Sequence, residues 1–244
     1  MIRTGILGTH GHTEKFIRIL EESGEAKAVV LWDDHEEKGM RTAEEVGLPF
    51  EKDYREVIDK YDLQAAIITV PSYMHCELVK ALCKKDIHIF LEKPLCIDPE
   101  EAEQMKEAVH RSRGKFFVSD PFVRSEVMMM KQLIAEGKLG DITSAAIRIN
   151  ARKNWDHLVL QEQQGGIMAD IGGHGLHIIH YLFGMPESTI SMLGDVSGHG
   201  CEDNCTILFA YPDKNQVTLQ ASWVSAGHTN HVAVYGTKGF VRAD

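Results

Sequence analysis

The first residue suited to chemistry is a lysine at the end of an apolar run. Lys93 follows the run Ile87–Leu91 closely and precedes Pro94. The run predicts a buried strand, and ligands of parallel sheets bind outside the carboxyl ends of their strands. A lysine ammonium there can stabilise a developing negative charge or exchange a proton, and proline fixes the backbone that presents it. The alternative is a solvated surface charge.

Asp170 and His174 form the second candidate site. They are four positions apart in a helical pattern, which places them roughly 40° apart around a helix. We expect Asp170 to orient the His174 imidazole and to hold one tautomer, so that His174 can act as a base. His177 and His180 continue this face, and we expect both to pack in the core. Imidazole and carboxylate ligands also suit a divalent metal, but no spacing matches a metal motif, so none is predicted.

A run near the amino terminus is an altered form of the glycine-rich turn that binds dinucleotides. Gly8 stands at the first glycine position, but His10 and Thr13 occupy the second and third. The following helix still offers free backbone N–H groups to an anion, and His10 or His12 could add a hydrogen bond to phosphate. The candidate cofactor residues of this turn are Gly8, Thr9, His10, Gly11 and His12.

Asp33 is a candidate partner for the ribose of a nucleotide. It ends the second predicted strand, 25 residues after Gly8 (33 − 8), near the spacing at which a carboxylate grips ribose hydroxyls. Asp34 follows, and its charge would repel a ribose phosphate, which favours NAD over NADP. The alternative is that Asp33 only caps the next helix.

The predicted elements divide the chain into two domains. In residues 1–120, strands alternate with helices, which indicates a Rossmann-type doubly wound parallel sheet. In residues 121–244, long alternating strands surround one helix, which indicates an α+β domain with a mixed, largely antiparallel sheet. The predicted strands are 2–7, 28–32, 63–70, 87–91 and 115–119, then 143–150, 206–211, 217–223 and 231–235. The helix that carries Asp170 is predicted over 166–183.

Composition limits the partners. Hydrophobic residues at 43% and charged residues at 25% are globular values, and the net charge is −10, which argues against nucleic acid or an anionic membrane. The amino terminus leads straight into a strand, so we expect no signal peptide and a cytoplasmic location. Five cysteines are an odd count that favours free thiols.

Three motifs together resemble the glucose-fructose oxidoreductase / inositol dehydrogenase / MocA family. They are Glu92-Lys93-Pro94, the segment from Thr69 to His75, and the segment from Gly165 to His174. The resemblance runs the whole length of the chain. It implies an NAD(P)-dependent oxidoreductase acting on a sugar, cyclitol or related polyol or keto compound. NAD is the expected cofactor and NADP the less favoured one.

The resemblance also implies roles for individual residues. Lys93 would lie near nicotinamide and substrate, and Asp170 with His174 would supply acid–base chemistry. The cofactor cleft would be lined by Thr69, Pro71, Ser72, His75, Glu92 and Lys93. Candidates for substrate contact are Arg124, Trp155, His157 and His177, the last standing where the family often has an aspartate.

Family members usually continue beyond the turn at 236–239, so we expect a carboxyl-terminally shortened second domain. The exposed sheet and the family's use of it for association favour a homodimer or homotetramer.

Two other functions remain open. One is a redox-neutral, NAD-dependent cleavage of a glycoside on the same fold. The other is a non-catalytic regulatory protein that binds nucleotide or sugar, which the altered glycine turn favours.

Overall fold

The computed structural model describes residues 1–120, 124–152, 166–213 and 215–244. It divides into two compact units, Met1–Ser119 and Asp120–Asp244. Across these described ranges, no helix is long and apolar enough to cross a membrane.

The first unit alternates strands and helices. Its strands are Ile2–Leu7 (β1), Ala26–Trp32 (β2), Ala65–Ile68 (β3), His88–Glu92 (β4) and Phe116–Ser119 (β5). Its α-helices are Thr13–Ser23 (α1), Glu36–Val46 (α2), Tyr54–Lys60 (α3), His75–Cys83 (α4) and Pro99–Arg111 (α5), with a 3-10 turn at Ser72–Met74 before α4.

The five strands form a parallel sheet in the order β2-β1-β3-β4-β5. Alternate strand residues point to opposite faces. Ile6 and Ile67 pack with Ile17 of α1 on one face, and Leu7 and Ile68 join a second cluster on the other. Helices therefore cover both faces, which confirms the predicted doubly wound parallel sheet.

Local sequence signals fix where several helices begin and end. The Asp98 side chain accepts a hydrogen bond from the Glu100 N–H at 2.8 Å, and Pro99 occupies the first position of α5. Asp53 caps α3 in the same way. α1 ends at Gly24, whose φ of 66° is in the left-handed region that glycine adopts readily.

The second unit is an α+β structure. Its helices are Ser125–Ala135 (α6) and Gly173–Phe183 (α7), and a π-helical turn, Met168–Gly172, leads into α7. Its strands are Ile142–Asn150 (β6), Ser188–Gly194 (β7), Asn204–Ala210 (β8), Gln216–Ser222 (β9), Thr229–Gly236 (β10) and Phe240–Ala243 (β11). The sheet order is β11-β10-β6-β9-β8-β7.

This sheet is mixed, as predicted. The β6–β9 pair is parallel and the other pairs are antiparallel. One face packs on α7, where Ile178 and Leu182 share a core with Leu219. Gly175 allows the closest approach, because a Cβ at that position would lie 2.3 Å from the Leu219 side chain.

Three elements differ from the sequence predictions. Helix α3 and strands β7 and β11 were not predicted. β7 lies at the sheet edge and is exposed along both faces. Its alternation of polar and apolar residues is confined to residues 189–192, the shortest run that indicates a strand. The helix predicted over 166–183 is also not uniform, because it starts with the π-helical turn.

Candidate active site

The turn between β1 and α1 depends on its first glycine. Gly8 has a φ of 114°, and a Cβ there would lie 2.4 Å from the Val70 backbone nitrogen. Any side chain would therefore collide with the end of β3. Thr13, in place of the third glycine, donates to the His10 carbonyl at 2.9 Å and shares a 2.8 Å hydrogen bond with the Thr69 hydroxyl. A buried hydroxyl pair thus joins the turn to the end of β3.

Asp33 is tied to the same turn. Its Oδ2 accepts hydrogen bonds from the Thr9 N–H at 2.6 Å and the Thr9 hydroxyl at 2.7 Å. Its Oδ1 accepts from the His35 N–H at 2.8 Å, directly before α2. Asp33 is 2% exposed, so most of its acceptor capacity is used inside the protein. The cap residue of α2 is His35, whose own side chain forms no capping hydrogen bond, so Asp33 joins the β1–α1 turn to the end of β2, and ribose binding stays a prediction.

His10 lies beside the two acidic residues at the end of β2. One ring nitrogen of His10 and one carboxylate oxygen each of Asp33 and Asp34 lie within 4.8 Å of one another. Burial and the nearby Lys38 ammonium lower the pKa of His10, although both carboxylates oppose this shift. His10 is therefore a neutral hydrogen-bonding group at neutral pH.

Two features fit a dinucleotide at this edge of the sheet. A cavity of about 260 Å³ at the start of α1 is lined in part by Gly11, His12 and Lys15, which combine free backbone N–H groups with a cation. The Ser72 hydroxyl is buried and has no hydrogen-bond partner among the described residues. An unsatisfied buried hydroxyl is costly unless a ligand completes it.

His75 does not line a cleft, contrary to the sequence prediction. It is 1% exposed, with Nδ1 at 3.1 Å from the Leu95 carbonyl and Nε2 at 2.9 Å from the Val70 carbonyl. Burial lowers the pKa of His75, and the carbonyl contacts oppose the shift. The ring therefore supports the loops after β3 and β4. Thr69 is likewise buried at 2% exposure and bonds inside the protein.

Lys93 directly follows β4, at the position that the apolar run predicted. It is half-buried, and its backbone N–H donates to the Glu92 carboxylate at 3.1 Å. The peptide bond to Pro94 is cis. Pro71, at the corresponding end of β3, is also half-buried. Strand ends thus place Lys93 and Pro71 at the ligand-binding edge of the parallel sheet.

The second unit contains two imidazoles held by one carboxylate. His174 Nδ1 lies 3.1 Å from Asp120 Oδ1, and His177 Nδ1 lies 2.8 Å from Asp120 Oδ2. The His174 side chain is 6% exposed and that of Asp120 is 16% exposed. An oriented, nearly buried imidazole with an anionic partner can act as a general base.

The contact at Nδ1 corrects the role expected for Asp170. We expected Asp170 to orient the His174 ring through α-helical spacing, but Asp120 holds that nitrogen. The π-helical turn contains Asp170, so the rotation assumed for an α-helix does not apply there. The Asp170 carboxylate accepts a hydrogen bond from the buried Trp223 indole at 3.2 Å.

The other predicted residues have mixed outcomes. His177 and His180 are exposed, so the expectation that both pack in the core is wrong. Arg124 is exposed at the start of α6. Trp155 and His157 lie outside the described residues.

Sequence reasoning missed Asp120. It immediately follows β5, so its place after a parallel strand was a usable signal. Its partners lie 54 and 57 residues further along the chain, and no local spacing could identify them.

Family models match nearly all of the chain. Residues 2–119 match the oxidoreductase family with an NAD-binding Rossmann fold. Residues 127–242 match the GFO/IDH/MocA carboxyl-terminal domain.

Individual relatives agree with this. A 2,7-anhydro-N-acetylneuraminate hydratase from Mediterraneibacter gnavus is 28% identical over 98% of the chain and 66% of its own length. The scyllo-inositol 2-dehydrogenase (NADP+) of Bacillus subtilis is 26% identical over 77% of the chain and 53% of its own length. The chain thus spans about two thirds or less of these relatives.

A solved structure shares the fold. The WlbA dehydrogenase from Bordetella pertussis, in complex with NADH and UDP-GlcNAcA, superposes with a TM-score of 0.91 at 18% identity, covering 99% of the chain and 77% of its own. With the two family models, the fold and the motif at Lys93, this establishes that the chain belongs to the Gfo/Idh/MocA oxidoreductase family and carries its NAD-binding Rossmann domain.

Proposed function

We propose that this protein is an NAD(P)-dependent oxidoreductase that transfers a hydride between nicotinamide and a sugar, cyclitol or related polyol or keto compound. The observation that carries the proposal is the His174 imidazole held at Nδ1 by Asp120. A family member with a positioned base can couple removal of a hydroxyl proton to hydride transfer. The named relatives include an inositol dehydrogenase.

His174, Lys93 and Asp170 have different roles in the proposed reaction. A bound nicotinamide would supply the hydride acceptor for oxidation of the carbinol carbon, and the hydride donor for the reverse reaction. His174 takes the hydroxyl proton at Nε2, because Nδ1 donates to Asp120, and the carbon–oxygen bond becomes a carbonyl. Lys93 stabilises negative charge on the reacting oxygen. Asp170, whose carboxylate accepts a hydrogen bond from the Trp223 indole, remains a proposed participant in the acid–base chemistry.

We infer that the cofactor is held by the altered turn and by the ends of β2 and β3. Backbone N–H groups at Gly11 and His12 would meet the phosphates, and the Ser72 hydroxyl would gain the partner that it lacks among the described residues. NAD is the favoured form, because Asp33 and Asp34 would repel a ribose phosphate.

A cavity beside α2 gives a reason to test NADP as well as NAD. A cavity of about 410 Å³ beside α2 is lined by His35, Glu37, Lys38 and Arg41. The Lys38 and Arg41 cations would attract a ribose phosphate and would offset its repulsion by Asp33 and Asp34.

The test begins with titration of the purified protein with NADH and NADPH, followed by a screen of polyols and keto sugars with the tighter form. On a substrate so identified, Lys93→Met should lower kcat at least 100-fold, as loss of a charge-stabilising group does. Lys84→Met, at an exposed lysine after α4, is the matched control. Full turnover by Lys93→Met would contradict the proposal, and failure to bind either nucleotide would favour a regulatory role.

A redox-neutral reaction is the second candidate. The relative that covers 98% of the chain is named as a hydratase rather than a dehydrogenase. Release of a product from an anhydro-sugar or glycoside without net NADH formation would favour this candidate over the first.

We also propose that the protein associates as a homodimer or homotetramer through the second unit. Ile190 and Met192 are 70% and 76% exposed on the edge strand β7, and exposed edges with apolar side chains favour association. Light scattering should give a mass above 27.3 kDa, and Met192→Lys should lower it.

A further inference from the structure

The geometry around Asp120 gives His177 a role that its family position does not suggest. The His177 side chain is 44% exposed, whereas its partner Asp120 is 16% exposed. His177 therefore reaches from the surface to the same carboxylate that holds the nearly buried His174.

The direction of both hydrogen bonds follows from the chemistry of the carboxylate. An ionised carboxylate only accepts hydrogen bonds, so His174 and His177 both donate through Nδ1. In neutral His174, a proton on Nδ1 leaves the lone pair on Nε2.

The two oxygens of Asp120 cannot move independently. Rotation about the bond that joins the carboxylate to its side chain displaces both, so a bond at Oδ2 also restricts Oδ1. His177, at 2.8 Å from Oδ2, has the shorter of the two contacts.

We propose that His177 is a positioning residue that acts through Asp120. Its bond to Oδ2 holds Oδ1 against His174 Nδ1, which keeps the His174 proton on Nδ1 and its lone pair on Nε2. This inference rests on the proposed function, in which Nε2 accepts the substrate proton. The role needs only a donor at the Nδ1 position, so asparagine, whose amide nitrogen occupies a similar position, should replace His177.

The first experiment reads the tautomer without any substrate. Side-chain ¹⁵N NMR of the full chain, at a pH at which both rings are neutral, should show His174 protonated on Nδ1 in the wild type. His177→Ala should shift His174 toward a mixture of tautomers, and His177→Asn should restore the wild-type signal. A wild-type signal in His177→Ala, or failure of His177→Asn to restore it, would overturn the proposal.

The second experiment uses the substrate identified above. His177→Ala should lower kcat about tenfold, the loss expected for one charge-assisted hydrogen bond, with KM nearly unchanged, and His177→Asn should recover most of the rate. A rise in KM alone would overturn the proposal, because it would indicate substrate binding by His177.

His180→Asn is the control, since His180 is an exposed histidine one turn further along α7. It should change neither the His174 tautomer nor kcat. The two readouts also separate the two proposals. The expected tautomer shift in a protein without dehydrogenase activity would refute the proposed function alone, whereas activity with an unchanged tautomer would refute the role of His177 alone.

Discussion

Asp120 affects the state of two imidazoles at once, because its two oxygens accept from different rings. Both histidines therefore depend on the charge and the symmetry of a single carboxylate. In the first unit, one local contact also depends on a single residue. Gly8 has no side chain, and only this absence lets its backbone approach the Val70 backbone closely.

Asp120→Asn should lower kcat by about 10²- to 10⁴-fold, as loss of an orienting carboxylate does in other acid–base sites. An amide presents one donor and one acceptor, so one ring would face an N–H group and would have to change its tautomer. Steady-state kinetics measures the loss, and thermal unfolding checks that the fold persists. Asp141→Asn, at an exposed position, should leave kcat unchanged. Near-normal activity in Asp120→Asn would remove the carboxylate from the mechanism.

Gly8→Ala should lower both the free energy of unfolding and the affinity for NADH. The added Cβ would lie 2.4 Å from the Val70 nitrogen at a φ of 114°, so the turn must shift, at a cost of more than about 2 kcal/mol. Gly24→Ala is the matched control, since its φ is 66°, no atom lies within 4 Å of the added Cβ, and the residue lies outside the proposed nucleotide site. It should cost only about 1–2 kcal/mol. Urea unfolding and nucleotide titration measure both effects, and equal losses would show that the close contact is unimportant.

At the scale of elements, the ends of β3 and β4 are connected through one buried ring. His75 contacts the carbonyls of Val70 and Leu95, which follow those strands. Both segments belong to motifs that were identified from the sequence. His75 is the first residue of α4, so its buried ring links that helix to both segments.

His75 should make the first unit less stable in acid. Burial places the folded-state pKa of His75 below its ordinary value of 6.5, so the unfolded chain binds the proton more readily. The free energy of unfolding should therefore fall as pH drops below about 6.5, and less steeply in His75→Gln. Urea unfolding at neutral and mildly acidic pH measures the difference. His10, whose pKa burial also lowers, should leave a residual slope in the variant. An identical pH dependence in both proteins would contradict this assignment.

The sequence predicted the elements with strong periodicity and missed those without it. Apolar runs identified the five parallel strands, and Asp98-Pro99 marked the start of α5. β7 was missed because its polar and apolar residues alternate only over residues 189–192 and both its faces are exposed. The position of Lys93 follows from strand order alone. The contact of His174 with Asp120 spans 54 residues and that of His75 with Leu95 spans 20, and local spacing does not encode such contacts.

At the scale of the whole molecule, the chain consists of two units with separate hydrophobic cores. The first matches an NAD-binding domain and the second a family-specific carboxyl-terminal domain. Under the proposed function, nucleotide binding belongs to the first unit and the base His174 to the second.

Cofactor binding should therefore stabilise the units unequally. NADH at about 100 times its Kd should raise the free energy of unfolding of the unit that binds it by about 2.7 kcal/mol. Hydrogen exchange followed by mass spectrometry should show the strongest protection within Met1–Ser119, at the β1–α1 turn. NADPH at the same concentration gives the comparison of cofactors. Protection confined to Asp120–Asp244 would place the nucleotide in the wrong unit for this proposal.

The close approach at Gly8 also bears on how such turns are recognised in other genomes. In a saturation-mutagenesis library, Gly8 should tolerate no replacement, whereas position 13 should accept residues that keep a hydroxyl, because Thr13 bonds to Thr69. A search pattern that demands three glycines scores this turn as degraded, although its one steric requirement is met. Patterns weighted by backbone contact rather than by glycine count would retain proteins of this kind.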